Sequence, residues 1–588
     1  MKASIFSLLW MSVINAQTDI NFSYEMKYGD GKQVTGTASD NPDTLDYNYF
    51  ENLLDINTFY GDNIYFYTQL EYSNHPVYGN RRSGLDSLVN TFYLEYSDDR
   101  INIKLGNQYE LFGRGMSFYT LQNQNIDYDN SVKGLSFKYF MRENIEISAL
   151  IGKGDYFYRS NPSLRETDLQ LNSSVLLGSV NYTHDWLGYF QYMNSNQKLI
   201  INPALTGIFE NKTEIFYDLD KRSTTAPKLN NIYQSYKTET FLDTVGVQNQ
   251  NFNWNFYAGP FDIYVDKAWI YYDKFYGDKV FGSRFYTSVY IDFLGTGITY
   301  EYKNYNTPYL IKTISNLPIV YREGSSVLAS RNAHTFNFGN EIGHQVDFNK
   351  YFFEKINVLG NFSLSYRHQK NEMVDLNLMD YLVLDDGSFK QTIIDTIYSE
   401  DLIDFVLDTS YVNSFYDYYP FRQMYLEVNG WAFSERLYYK LGVDYFTELI
   451  FLNSGKNTYA LTFPTHWVWK LSNGSSVTAY LEMQSKTEKQ LNPLDFSLAS
   501  EKNYTNHYLS FSYNHFGKWT LTGFYDRESV NDKVHQWPGL DFSYYLNNES
   551  QISLFYGSQK GGLVCANGIC AEQPGFEDGV KITVRSLF

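Results

Sequence analysis

The last stretch of the chain constrains the fold more than any other. It reads Gly579-Val580-Lys581-Ile582-Thr583-Val584-Arg585-Ser586-Leu587-Phe588. Val580, Ile582, Val584 and Phe588 share one parity, while Lys581, Thr583 and Arg585 share the other. A period of two with one apolar and one wet face is that of a β-strand. The stretch also has the length of a membrane-crossing strand, about 9–11 residues. It is expected to be the closing strand of an outer-membrane β-barrel.

The same alternation recurs along the chain. Ile20, Phe22, Tyr24, Met26 and Tyr28 share a parity, as do Leu437, Tyr439, Leu441 and Val443, and Val477, Ala479, Leu481 and Met483. Short polar turns punctuate these runs, as at Gly61-Asp62-Asn63, Arg142-Glu143-Asn144 and Asn547-Asn548-Glu549. Between them lie long connections, near 29–46, 75–87, 109–131, 153–174, 195–245, 305–334, 369–420, 487–503 and 559–578. Strands that run up and down in turn give this alternation when periplasmic turns are short and outer loops long. The expected architecture is all-β: a single antiparallel transmembrane barrel of about 24 strands, within roughly 20–26, without a separate plug domain. Both termini would then lie at the periplasmic side.

Composition agrees and narrows the class. Mean hydropathy is −0.41, and no apolar run reaches the roughly 18 residues of a membrane helix. Yet Tyr and Phe number 56 and 44, which suits strands with a wet lumen and aromatic girdles. A soluble all-β protein is the alternative. Residues 1–16 have a Lys2 n-region, an apolar stretch and a small Ala16, as in a secretory signal peptide, leaving 17–588 as the barrel. The net charge of −19 disfavours nucleic acid as a partner and favours a lumen that admits cations. The partners expected are outer-membrane lipid and, on the outer loops, a lipoprotein or receptor. Cys565 and Cys570 are the only cysteines. A close pair outside the inner membrane reads as a disulfide, and a metal site would need more ligands than this stretch has.

Two stretches are candidates for function. A barrel of this size would measure roughly 45–50 Å across, so something should narrow it. The segment 109–131 carries Phe112, Gly113, Arg114 and Gly115, then Asp127, Asp129 and Asn130. Its glycines permit sharp turns, and Arg114 could meet a carboxylate in the lumen. A compact loop on the rim is the competing reading. The segment 369–420 is acidic, with Asp380, Asp385, Asp386, Asp401 and Asp404 among its carboxylates. It lacks EF-hand spacing, and a solvated acidic loop or a protein-binding loop accounts for it. No nucleophile elbow, zinc-binding helix motif or P-loop is present, so no enzyme activity and no cofactor are expected.

Two stretches carry a resemblance. Leu105-Gly106-Asn107-Gln108-Tyr109-Glu110 runs into Phe112-Gly113-Arg114-Gly115, followed by Asp129-Asn130 and Gly134. Near the end stand Gly561-Gly562-Leu563-Val564-Cys565, Cys570 and Pro574-Gly575-Phe576-Glu577. In these the chain resembles an uncharacterised outer-membrane barrel family of Bacteroidota, a domain of unknown function. The resemblance implies a porin-like barrel in the outer membrane and assigns no residue a role. The functional expectation is a barrel that passes or gates solutes through a loop-restricted, acidic lumen. The alternative is a surface scaffold or subunit of a transport or secretion assembly.

Overall fold

A computed structural model describes residues 18–35, 43–74, 77, 88–124, 128–158, 169–201, 244–275, 278–306, 314–324, 326–332, 334, 340–353, 355–366, 421–450, 456–471, 474–491, 498–531, 533–566, 569–573 and 575–588. The signal-peptide stretch, Asp127 and the acidic residues Asp380, Asp385, Asp386, Asp401 and Asp404 lie outside the described residues.

The wall is a 24-stranded sheet. In chain order its strands are β1 (Thr18–Thr35), β2 (Asp43–Tyr60), β3 (Ile64–Asn74), β4 (Val89–Ser97), β5 (Ile101–Gln108), β6 (Val132–Arg142), β7 (Ile145–Tyr158) and β8 (Leu169–His184). Next come β9 (Gly188–Ile201), β10 (Thr244–Ala258), β11 (Phe261–Phe275), β12 (Asp278–Phe293), β13 (Thr296–Asn306), β14 (Asn340–Phe352), β15 (Ile356–Tyr366) and β16 (Phe421–Ala432). The last are β17 (Leu437–Ile450), β18 (Lys456–Lys470), β19 (Ser476–Leu491), β20 (Leu498–His515), β21 (Trp519–Val530), β22 (Lys533–Tyr545), β23 (Ser550–Gln559) and β24 (Phe576–Leu587). Every neighbour pairs antiparallel, and β24 closes the circle on β1 with Val584 opposite Met26 and Ile582 opposite Tyr28. Closure leaves no open edge, which is what a sheet in lipid requires.

The two faces of the wall differ in chemistry. Leu105, Ile151, Phe362, Leu426, Phe463, Met483, Phe511 and Leu540 stand exposed on the outside. Asn251, Asp266, Arg284, Lys303, Glu341, Glu427, Glu482 and Asp526 are buried on the inside. A water-soluble core has this the other way round. The inversion fits a barrel with lipid outside, and it implies an outer-membrane location.

Many strands are longer than a membrane needs. β1, β2 and β20 each have 18 residues, against about 9–11 for a crossing. Stretches expected as connections at 29–46, 153–174 and 487–503 are therefore partly strand. Beyond the lipid both faces meet water, so residues such as Glu488-Lys489-Gln490 show no alternation that would mark them as strand. Connections 276–277 and 531–532 are correspondingly brief.

Backbone twist shapes the turns at the opposite end. Leu294, Phe353, Phe433 and Phe516 take φ values of 51–53°, the positive region demanded by tight hairpins that follow the strand twist. All four side chains are well exposed. Bulky residues seldom adopt such a backbone, and here it points apolar groups outward where an aromatic girdle would sit.

Inside the connection before β24, strands Gly562–Ala566 and Ile569–Gln573 pair with Cys565 opposite Cys570 in register. Directly opposed antiparallel residues have Cα atoms about 4.5–5.5 Å apart, within the roughly 4.4–6.8 Å that a disulfide spans. The expected result is that purified protein takes up a thiol alkylating reagent at these residues only after reduction. Labelling without reductant would remove the disulfide.

Candidate functional site

The segment between β5 and β6 turns into the barrel. Its backbone forms two small two-stranded pieces, Leu111–Phe112 with Phe118–Tyr119 and Gln122–Asn123 with Tyr128–Asp129. Asn130 ties them together: its amide donates to the Tyr119 carbonyl at 2.9 Å and its side-chain oxygen accepts from the Leu121 N–H at 2.7 Å. Asp129 accepts from Tyr109 Oη at 3.2 Å and from the Ser131 N–H at 2.7 Å. These two residues brace the segment's own fold.

Arg114 sits at the tip of the first piece. Its guanidinium donates to Tyr286 Oη at 2.6 Å and Ser288 Oγ at 3.3 Å, with Glu301 Oε1 at 3.6 Å. Its N–H donates to Asp266 Oδ2 at 3.3 Å, and the guanidinium carbon lies 4.5 Å from the Tyr264 ring centre. The partners come from the inner face of β11, β12 and β13. Arg114 is thus held against the wall by residues of three strands. Phe112 and Phe118 join Val132, Leu150, Val175, Leu177, Met193 and Ile314 in an apolar cluster, so polar anchoring is backed by burial.

Gly113 and Gly115 have structural reasons to be glycine. Gly113 has φ +58°, and a Cβ there would lie 2.7 Å from Asp266 Oδ2. Gly115 has φ +84°, and a Cβ would lie 2.6 Å from the Asn316 carbonyl oxygen. Asn316 belongs to a second segment, between β13 and β14, which sequence reasoning recorded as a long connection without assigning it a role. The two segments are hydrogen-bonded backbone to backbone. The Asn316 N–H donates to the Gly115 carbonyl at 3.0 Å, and the Tyr119 N–H donates to the Ile314 carbonyl at 3.2 Å.

This second segment continues along the inner wall past 314–324. Val320 and Leu317 pack with Met116, Ala268, Tyr286 and Tyr305; Tyr321 packs with Phe421, Phe446 and Ala460. Glu482 of β19 is fully buried and accepts from the N–H groups of Val327 and Leu328, each at 2.7 Å. Arg331 reaches across to pair with Asp526 of β21. His334 lies between two wall carboxylates, with Nδ1 2.5 Å from Glu448 and Nε2 3.1 Å from Glu341, and its ring stacks on Phe421 at 4.0 Å. Its neighbour Glu341 also meets Lys303 Nζ at 2.5 Å.

Burial pulls the His334 imidazole toward the neutral form, but Glu341 and Glu448 together outweigh it and lift the pKa to about 9. A group whose pKa rises on docking adds stability in full below its ordinary value, near 6.5, and loses it as pH climbs through the docked value. Hydrogen exchange at 326–332 is therefore expected to quicken between about pH 7 and pH 9, and His334→Gln to flatten that profile. A wild-type profile that follows intrinsic exchange chemistry alone would contradict this role of His334.

The residues expected to form a constriction, Phe112, Gly113, Arg114, Gly115, Asp129 and Asn130, thus lie in one segment that contacts the wall. The closing-strand residues Val580, Ile582, Val584 and Phe588 lie in or directly after β24, far from it in the wall. The carboxylates that hold the second segment, Glu341, Glu448, Glu482 and Asp526, are scattered over four strands, and no local pattern joins them.

Comparison with solved structures finds barrels. The P pilus usher (PapC) translocation pore aligns over 96% of this chain and 99% of its own, with 8% identity and a TM-score of 0.39. The siderophore receptor PirA from Pseudomonas aeruginosa aligns over 96% of this chain and 80% of its own, with 8% identity and a TM-score of 0.41. A BenF-like porin from Pseudomonas fluorescens Pf-5 aligns over 85% and 98%, with 7% identity and a TM-score of 0.33. No curated protein matches the sequence. A family of unknown function, DUF6029, matches over residues 2–588, and the chain belongs to that family.

Proposed function

We propose that this protein passes solutes across an outer membrane through a lumen narrowed by its own connections. The observation that carries the reading is the pair of segments, 109–131 and 314–334, held against a polar inner wall by buried hydrogen bonds and ion pairs. A wall of 24 strands would otherwise enclose a channel wider than the 16–18-stranded porins that already conduct freely. Docked segments reduce that bore while leaving polar surface for a solute. The chain's net charge of −19 favours cations over anions in the remaining space.

The same docked segments support a second reading, a sealed scaffold whose outer connections bind a protein partner. Flux separates the two. Purified protein in planar bilayers should give small, cation-selective channels, with a reversal potential displaced toward the cation in a salt gradient. Absence of any conductance or liposome swelling, with a partner co-purifying from the envelope, would transfer the assignment to the scaffold.

A further inference from the structure

A cavity of about 470 Å³ opens in the lumen between β20–β24 and the docked 326–332 segment. That volume lies within the range of ligand pockets, about 300–1,000 Å³. Its floor is aromatic. Tyr508, Phe524 and Phe555 line it, with rings following one another at 6.4 Å and 22°, then 5.6 Å and 13°. Val327, Ser330 and Arg331 roof it, and Gly561 and Gly562 close one side.

The charges around the rim are not evenly satisfied. Arg331 is paired with Asp526, and Lys560 with Glu528. Two charges remain. Among the described residues, Lys581 bonds the side-chain oxygen of Gln559 at 2.6 Å and lies over the rings of Phe555 and Phe576, without a carboxylate partner. Asp541 accepts from Ser543 Oγ at 3.2 Å, without a cationic partner among the described residues. Both line the cavity and both are half-buried. Unpaired charges in a partly desolvated site are costly unless something completes them.

Strand register orders these groups. Asp541 stands opposite Phe555, and Phe555 stands opposite Lys581. Anion, aromatic ring and cation therefore form one row across three neighbouring strands, with the backbones of the two charged residues about 10 Å apart at about 4.8 Å per strand. A free amino acid, whose two charged groups are bonded to the same carbon, is too short for that row. A chain of three residues, about 10–11 Å at 3.3–3.6 Å each, matches it, and one of two residues, about 7 Å, reaches across with the flexible Lys581 side chain.

We propose that the cavity binds a short zwitterionic peptide, its ammonium on Asp541, its carboxylate on Lys581 and an apolar side chain on the Tyr508–Phe524–Phe555 floor. The inference names a solute class for the pore reading and rests on it only for the route of entry, since binding needs no flux. The test is calorimetric titration of the full-length protein in detergent with Ala-Phe and Ala-Phe-Ala at neutral pH. At least one of these peptides should bind saturably. Its N-acetyl and C-amide forms should each bind about tenfold or more weakly, the loss expected when a charge-assisted contact goes. Asp541→Asn should abolish the penalty for acetylation and Lys581→Gln the penalty for amidation. Should either variant fail to fold, the blocked peptides on the unchanged protein still decide. Equal affinity for blocked and free forms, no binding of either peptide, or binding of free phenylalanine alone would overturn the proposal. Peptide binding in detergent without flux into liposomes would instead overturn the pore reading and keep the site.

Discussion

Glu482→Ala is expected to free the 326–332 segment and to raise single-channel conductance several-fold. The carboxylate is fully buried and holds two backbone N–H groups at 2.7 Å. Each buried donor left without an acceptor costs about 1–3 kcal/mol, so the docked state loses at least about 2 kcal/mol. That shifts the ratio of docked to released segment by roughly thirty-fold or more. The wall itself loses little, because Glu482 contributes its side chain to the lumen and its backbone to the ladder between β18, β19 and β20. Glu482→Gln keeps one acceptor oxygen and should fall between wild type and alanine. Bilayer recordings and hydrogen exchange at Val327 and Leu328 check this together. Unchanged conductance with faster exchange would mean that the segment does not limit the bore. No change in either would mean that Glu482 is not the anchor.

The wall was legible in the sequence because its physics is local. Lipid on one side and water on the other impose a period of two on every crossing strand, and Val580 to Val584 display it without reference to anything else. Where lipid ends, the signal ends with it. β20 continues through Ser500-Glu501-Lys502-Asn503 with both faces wet, and such residues read as loop. The docked segments follow a different rule. Arg114 was visible as a lone base between glycines, but its partners Asp266, Tyr286, Ser288 and Glu301 lie 152 or more positions away. Residues 314–334 had no local mark at all. Glu482, Asp526 and Glu448 each look like ordinary lumen carboxylates until the register of their strands places them under Val327, Arg331 and His334. The site is a property of closure, which joins strands far apart in sequence.

Gly115→Val is expected to undo both docked segments at once, because Gly115 is where they meet. Its φ of +84° and its 2.6 Å gap from a notional Cβ to the Asn316 carbonyl oxygen act independently. The backbone alone costs a branched residue about 1–2 kcal/mol. The contact is with main chain, which cannot rotate away, so Asn316 must retreat and its 3.0 Å hydrogen bond to the Gly115 carbonyl is lost. Ile314, two residues back, is part of the cluster containing Phe112 and Phe118, and separation there exposes that apolar surface to the lumen. Gly115→Val should therefore conduct at least as well as Glu482→Ala, while its barrel remains folded by circular dichroism. Combining the two should add little, since contacts within one coupled unit are not additive. Full additivity of the two conductance gains would show that 109–131 and 314–334 open separately. Gly61→Val serves as the control, as its φ of +57° carries the same backbone penalty with nothing within 4 Å of the added Cβ. It should leave conductance unchanged.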